Sequence, residues 1–163
     1  MDTLEVTTDV RVPPEEAYAF LENFPGYARY SKYLDSVRQH GDGSAGTEYD
    51  LTFSWWKLSH TFRSRVTDTD EPTRIDWEVL GTLDAHGQWL VEAAEDGAEV
   101  SLVVTYDSGS ARGVLDLPMF ASFDWVAQRV VEKITEEGER VVERVVADLE
   151  GQRRPVDLRV ETR

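Results

Sequence analysis

The sequence predicts an α+β fold: a curved antiparallel sheet of six to seven strands wrapped around one long C-terminal helix, with two short helices after the first strand. Three observations carry this prediction. Apolar and polar residues alternate over residues 3–12 and again through most of 48–106, the period of half-buried strands. Those strands recur at roughly 10–12-residue spacing with turn residues between them, the pattern of an antiparallel meander. Beyond residue 116 the period changes to that of a helix and holds to Leu149. A sheet with one apolar face needs a cover, and only this last helix is long enough to supply it.

The elements follow in order. Leu4, Val6, Val10 and Val12 share one face of the first strand, with Thr8 the single polar residue among them. Pro13-Pro14-Glu15-Glu16 opens a short helix, because proline and acids suit a first helical turn. Pro25-Gly26 breaks it, and a second short helix carries Tyr27, Tyr30 and Tyr33. After the turn residues Asp42-Gly43 and Ala45-Gly46, Tyr49, Leu51, Phe53 and Trp55 alternate with polar neighbours. The apolar phase flips at Trp56 and Leu58, which places a tight turn or bulge at 55–58. His60, Phe62, Ser64 and Val66 continue on one face, opposite Arg63 and Arg65. Ile75, Trp77 and Val79 follow the turn at Asp70-Glu71-Pro72-Thr73, and Trp89, Val91 and Ala93 follow Gly81. Val100, Leu102, Val104 and Tyr106 complete the meander.

Residues 108–113 form a glycine- and serine-rich connector, a candidate gate or a plain link. Asp116 and Pro118 then begin the long helix, whose apolar stripe runs Met119, Phe123, Ala127, Val130, Ile134, Val141, Val145 and Leu149. Gly138 falls on that stripe, where it permits a close contact or a bend. Glu136-Glu137, like Glu15-Glu16, are expected on solvated helix surfaces. Gly151 is a C-cap. Residues 1–150 therefore form one domain, and residues 151–163 a net basic tail that is either frayed or paired to a sheet edge.

The chain has 163 residues, enough for a real core, and 32 acidic against 17 basic residues give it a net charge of −15. Such a surface repels phosphate backbones, so nucleic acid is not an expected partner. No apolar run approaches the roughly 20 residues of a membrane helix, and the acidic, alternating N-terminus lacks the regions of a signal peptide. A cytoplasmic location is the expectation. With no cysteine there is no disulfide, no thiolate ligand and no thiol nucleophile. Only 3 of the basic residues are Lys and 14 are Arg, Asp nearly equals Glu at 15 against 17, and Asn23 is the single asparagine. This composition predicts a protein adapted to concentrated salt, as in a halophile's cytosol; a high-GC genome alone explains the arginine but less of the acidity.

Three stretches carry a family resemblance. They are Val12-Pro13-Pro14-Glu15-Glu16-Ala17-Tyr18, then Phe24-Pro25-Gly26-Tyr27 leading to Tyr33-Leu34, then Gly87-Gln88-Trp89-Leu90-Val91-Glu92 followed by Val100-Ser101-Leu102. In this order and spacing, over about residues 3–150, the chain resembles the START-like helix-grip superfamily (SRPBCC), and within it the polyketide cyclase/dehydrase and coenzyme-Q-binding-like branch. The resemblance implies a helix-grip fold around a cavity for an apolar small molecule or lipid, with an isoprenoid quinone as one candidate. No cofactor is expected.

The inward faces offer Tyr49, Phe53, Trp55, Phe62, Trp77, Trp89 and Tyr106 from strands and Met119, Phe120 and Phe123 from the helix start. Residue types alone fit a packed core or a lined cavity equally; the resemblance selects the cavity. Polar inward groups are few: Thr8, His60, Ser64 and the hydroxyls of Tyr49 and Tyr106. His60 is the single inward histidine, either a structural hydrogen-bonding residue or an orienting donor and weak catalytic candidate. Tyr27 and Tyr30, facing Arg112 in the connector, are candidates for the cavity mouth, or else simple anchors of the short helix. There is no P-loop, no dinucleotide fingerprint, no G-x-S-x-G and no cluster of metal ligands. So few convergent titratable groups favour a binding module over a cyclase- or dehydratase-like enzyme, with a co-chaperone-like interaction module as a third reading. Oligomeric state is not legible.

Overall fold

The computed structural model describes residues 2–55, 58–81, 83–107 and 123–162. The chain opens with β1 (Asp2–Val10), α1 (Pro14–Glu22) and a 3-10 helix (Phe24–Arg29). Six strands follow: β2 (Leu34–His40), β3 (Glu48–Trp55), β4 (Leu58–Asp70), β5 (Arg74–Leu80), β6 (Ala85–Ala94) and β7 (Gly97–Tyr106). The long helix α2 (Phe123–Glu150) and a last strand β8 (Arg159–Thr162) complete it. All eight strands join one antiparallel sheet in the order β2-β3-β4-β5-β6-β7-β1-β8.

The register reproduces the alternation. Tyr49 lies opposite Ser64, Phe53 opposite His60, Val66 opposite Trp77, Ile75 opposite Trp89 and Trp89 opposite Leu102. Val6 and Val10 then meet Leu102 and Ala98. Because opposed residues of a pair share a face, these side chains form one continuous inner surface. Trp55 pairs with Leu58, which leaves two positions for the turn, both outside the described residues.

The sheet has eight strands where six to seven are expected. The additions to the legible set are β2 and β8, both polar and short of apolar alternation. The tail follows the edge-pairing alternative: Leu4 to Thr7 of β1 pair with Arg159 to Thr162. The Thr8 hydroxyl donates to the Asp157 carbonyl at 3.0 Å. Leu158 explains Gly138, since a Cβ on that glycine would stand 3.0 Å from the leucine Cδ2. The long helix meets its expected end: Gly151 has φ +80° and its N–H donates to the Ala147 carbonyl at 3.0 Å. Its expected start at Asp116 and Pro118, and the connector at 108–113, lie outside the described residues.

The core gathers at one end of the sheet. Val10, Val12, Ala17, Tyr18, Leu21, Phe24, Tyr49, Val66, Ile75, Val91, Ala98 and Val146 are buried in one cluster. Val146 places the C-terminal half of α2 against α1 and the sheet, and a clamp fixes it there. The Glu150 carboxylate accepts from the Arg11 backbone N–H at 2.8 Å and from Arg154 Nε and Nη2 at 2.8 and 2.9 Å. Two expectations of solvated charge separate here. Glu15, Glu16 and Glu136 are exposed, whereas Glu137 is 5% exposed. Glu137 follows Ile134 by three residues and precedes Val141 by four, so helical geometry turns it towards the apolar stripe. No helix among the described residues is long and apolar enough to cross a membrane.

Candidate functional site

The inner face changes character along the strands. At the α1 end it is closed: Tyr49, Val66, Ile75 and Val91 are at most 2% exposed. Towards the β3–β4 turn it opens. Phe53 is 39% exposed and His60, Phe62 and Tyr106 are half-buried; Trp77 and Trp89, opposite the buried Val66 and Ile75, are half-buried too, although all share the phase of the buried residues. Alternation brings these aromatics to one side. Phe62 holds Phe53 at a ring separation of 6.0 Å and His60 at 4.5 Å, both edge to face. The Trp77 ring approaches the β6 backbone closely because residue 87 is glycine. A Cβ there would stand 2.4 Å from the indole Cζ2 and 2.6 Å from the Val103 carbonyl oxygen.

The short helices frame this surface with a second aromatic group. Tyr27 meets Phe20, Phe24 and Trp89 at ring separations of 5.9, 5.2 and 6.2 Å. Its hydroxyl donates to the Leu21 carbonyl, and burial raises its pKa well above the ordinary phenol value. Tyr30 is buried and its hydroxyl donates to Asp148 Oδ2 at 2.7 Å, tying the 3-10 helix to α2. Burial, then the Asp148 hydrogen bond, raises its pKa. These contacts place both tyrosines in the support between short helices, sheet and α2.

Three polar groups on or beside the inner face differ in their state. Ser64 is satisfied, donating to the Glu78 carbonyl at 3.0 Å. Tyr49 is fully buried yet its hydroxyl has no hydrogen-bond partner, and burial, followed by the charges of Glu22 and Asp42, raises its pKa. Glu137 is also buried with Oε1 lacking a hydrogen bond, although Arg144 Nη1 stands 3.6 Å from it and Arg140 Nη1 3.4 Å from Oε2. Buried polar atoms without partners are uncommon and mark places where a ligand or water can bond. Among the described residues, no group of His, Asp and Glu is arranged to hold a metal ion.

The strand candidates Tyr49, Phe53, His60, Phe62, Ser64, Trp77, Trp89 and Tyr106 thus meet on one surface. Met119, Phe120 and Arg112 lie outside the described residues, as do the side chains of Trp55 and Phe123. Glu137, expected on a solvated surface, is instead buried, and Phe20 and Phe24, which carried no site role in the sequence, join the aromatic group around Tyr27. The helical spacing of Glu137 from Ile134 and Val141 held the signal for the first.

A family model described as "Polyketide cyclase / dehydrase and lipid transport" matches residues 1–139. The chain belongs to this family. Comparison with curated protein sequences gives no match. Solved structures share the family's helix-grip fold. The Zhui aromatase/cyclase from Streptomyces sp. R1128 superposes with a TM-score of 0.70 at 15% identity, covering 92% of this chain and 94% of that one. Ara h 8.0201 gives 0.62 at 19% identity, with 92% and 98% covered. The di-domain ARO/CYC StfQ from the steffimycin biosynthetic pathway gives 0.69 at 12% identity, covering 91% of this chain and half, 50%, of that one. At these identities the likeness is one of fold.

Proposed function

We propose that this family member binds an apolar small molecule or lipid between the inner face of the sheet and α2, as a carrier, sensor or chaperone. An isoprenoid quinone fits the aromatic lining. One observation carries the reading: Phe53, Phe62, Trp77, Trp89 and Tyr106 face inward, yet none is fully buried. A folded core hides its large aromatics, because covering each is worth about 1.5–3 kcal/mol. Inward aromatics left half-covered form a surface ready for an apolar guest. His60, in contact with Phe62 and half-buried, supplies a hydrogen-bonding group to orient it.

Quenching of tryptophan fluorescence by a short-chain ubiquinone tests this reading, with native mass spectrometry of protein purified from its host as the companion measurement. Saturable one-to-one binding is expected, abolished by Phe62→Asp with the melting temperature kept within a few degrees. If neither a fatty acid nor a quinone binds, and none copurifies, the reading fails and an interaction module takes its place.

A second reading, a cyclase- or dehydratase-like enzyme acting in the same interior, is supported by Glu137. It is a buried carboxyl whose Oε1 accepts no hydrogen bond, the kind of group an acid–base step can use, with Arg144 3.6 Å away. In that case Glu137→Gln abolishes turnover of a poly-β-keto thioester and leaves binding intact.

A further inference from the structure

Where the 3-10 helix approaches the C-terminal half of α2, a cleft of about 360 Å³ is lined by Arg29, Tyr30, Arg144, Ala147, Asp148 and Arg153. Three guanidiniums from three separate stretches of chain converge here. The convergence is unexpected in a protein whose acids outnumber its bases 32 to 17. Most arginines elsewhere among the described residues have carboxylate partners, among them Arg63 with Asp50, Arg65 with Glu78, Arg74 with Asp68 and Asp76, Arg154 with Glu150 and Arg159 with Asp9, although Arg38 has none.

Of the three cleft arginines, Arg29 and Arg153 have no carboxylate partner and Arg144 has Glu137. Arg29 stacks over the Tyr30 ring at 5.4 Å and donates to its hydroxyl at 3.1 Å, with no acid in contact. Arg153 makes no hydrogen bond or ion pair among the described residues. Arg144 uses Nη1 on the Tyr30 carbonyl at 2.7 Å, with Glu137 Oε1 3.6 Å away. The one carboxylate in the lining, Asp148, is already engaged by the Tyr30 hydroxyl. With Arg144 balanced by Glu137, Arg29 and Arg153 against Asp148 leave the lining one charge positive. Guanidinium forks are shaped for phosphate oxygens.

We propose that this cleft binds a phosphate-bearing group through Arg29, Arg144 and Arg153. The volume exceeds that of one phosphate and leaves room for the group it is attached to. The proposal does not depend on the apolar-ligand reading, since Arg29, Arg144 and Arg153 are not on the inner face of the sheet. The phosphate belongs either to a lipid headgroup or to a soluble phosphorylated molecule.

Inorganic pyrophosphate is the probe, titrated at about 0.1 M KCl, where the screening length is about 10 Å. Binding is followed by the Nε–H resonances of the arginine side chains. Saturable shifts are expected for Arg29 and Arg153, and Arg29→Ala/Arg153→Ala weakens binding about tenfold or more. Neither side chain carries an ion pair, so the melting temperature of the double variant stays unchanged. A chain of net charge −15 repels anions in general, which makes saturation informative.

Flotation with phosphatidylcholine vesicles, with and without phosphatidic acid, separates the sources. Capture by phosphatidic acid that the double variant loses assigns a lipid headgroup. Pyrophosphate binding without capture assigns a soluble phosphate. Absence of saturable pyrophosphate binding, or equal binding by the double variant, overturns the proposal.

Discussion

Replacing Glu150 with Gln removes one charge and almost no volume from the clamp that holds the end of α2. The carboxylate is nearly buried, at 4% side-chain exposure, and Arg154 is at 15%. It accepts three hydrogen bonds, two from the Arg154 guanidinium and one from the Arg11 backbone N–H. In Glu150→Gln an amide NH₂ must face at least one of these donors, and the guanidinium loses its anionic partner, keeping one bond to the amide oxygen besides the Asp9 and Pro155 carbonyls at 3.1 and 3.2 Å. Orphaning one partner of a buried pair costs about 3–5 kcal/mol. For a chain of 163 residues, about 3 kcal/mol lowers the melting temperature by about 6–12 °C. Urea unfolding measures the loss, and a double-mutant cycle with Arg154→Leu measures the coupling. The sign of the pH dependence follows from the pKa. Arg154 and the Arg11 N–H hold Glu150 below its ordinary value of 4.5, so its contribution is complete above that value and fades as pH falls through the lowered pKa. Wild type should therefore lose its advantage over Glu150→Gln below about pH 4.5. A loss under about 1 kcal/mol, or a gap between the two proteins that stays constant down to pH 3, refutes the clamp.

Gly87→Ala drives a methyl group into the Trp77 ring and the Val103 carbonyl; a loss of about 1–3 kcal/mol is expected in urea melts, together with a shift in tryptophan emission. Glu137→Leu removes a buried carboxyl whose Oε1 has no hydrogen bond, so thermal unfolding should show unchanged or higher stability, by up to about 2 kcal/mol. A fall of the same size would mean that Arg140 and Arg144 secure the helix through it. We expect the melting temperature to climb steeply from dilute buffer to molar KCl, since a net charge of −15 needs counterions; a flat series would rule out adaptation to salt.

What the sequence disclosed depended on whether the deciding contacts were local. In β5 and β7 every second residue is apolar, in β4 Leu58, Phe62 and Val66 keep the same phase around His60 and Ser64, and that phase alone assigned Phe62, Trp77 and Leu102 to one surface. β2 hid from the same test because its apolar residues, Leu34 and Val37, are an odd number apart. A register shift between Leu34 and Ser36 reconciles them. β8 offers four residues, and its pairing with β1 closes a loop across nearly the whole chain, which no window of sequence displays. Tyr27 and Tyr30 were legible as a stripe; their roles rest on the Leu21 carbonyl and on Asp148, the latter 118 positions away. The partial exposure of Phe53 was also illegible, because alternation assigns a side and says nothing of how far it is covered.

Charge and function are segregated in this fold by a simple physical division. The outer sheet face pairs its ions across strands, as in Arg63 with Asp50 and Arg65 with Glu78, at exposures where such pairs add little stability. Their use is to keep a surface of one dominant sign from repelling itself while the inner face stays almost free of charge. Glu150 and Arg154 are the buried exception, and they sit where the helix end must be held. Arg29 and Arg153, like Arg38 and Lys32, are cations without an acid partner among the described residues, and these two face one cleft. What sets them apart is convergence: two unpaired guanidiniums beside one cleft offer an external anion a shared site, and that is why the phosphate probe is aimed there and not at the sheet.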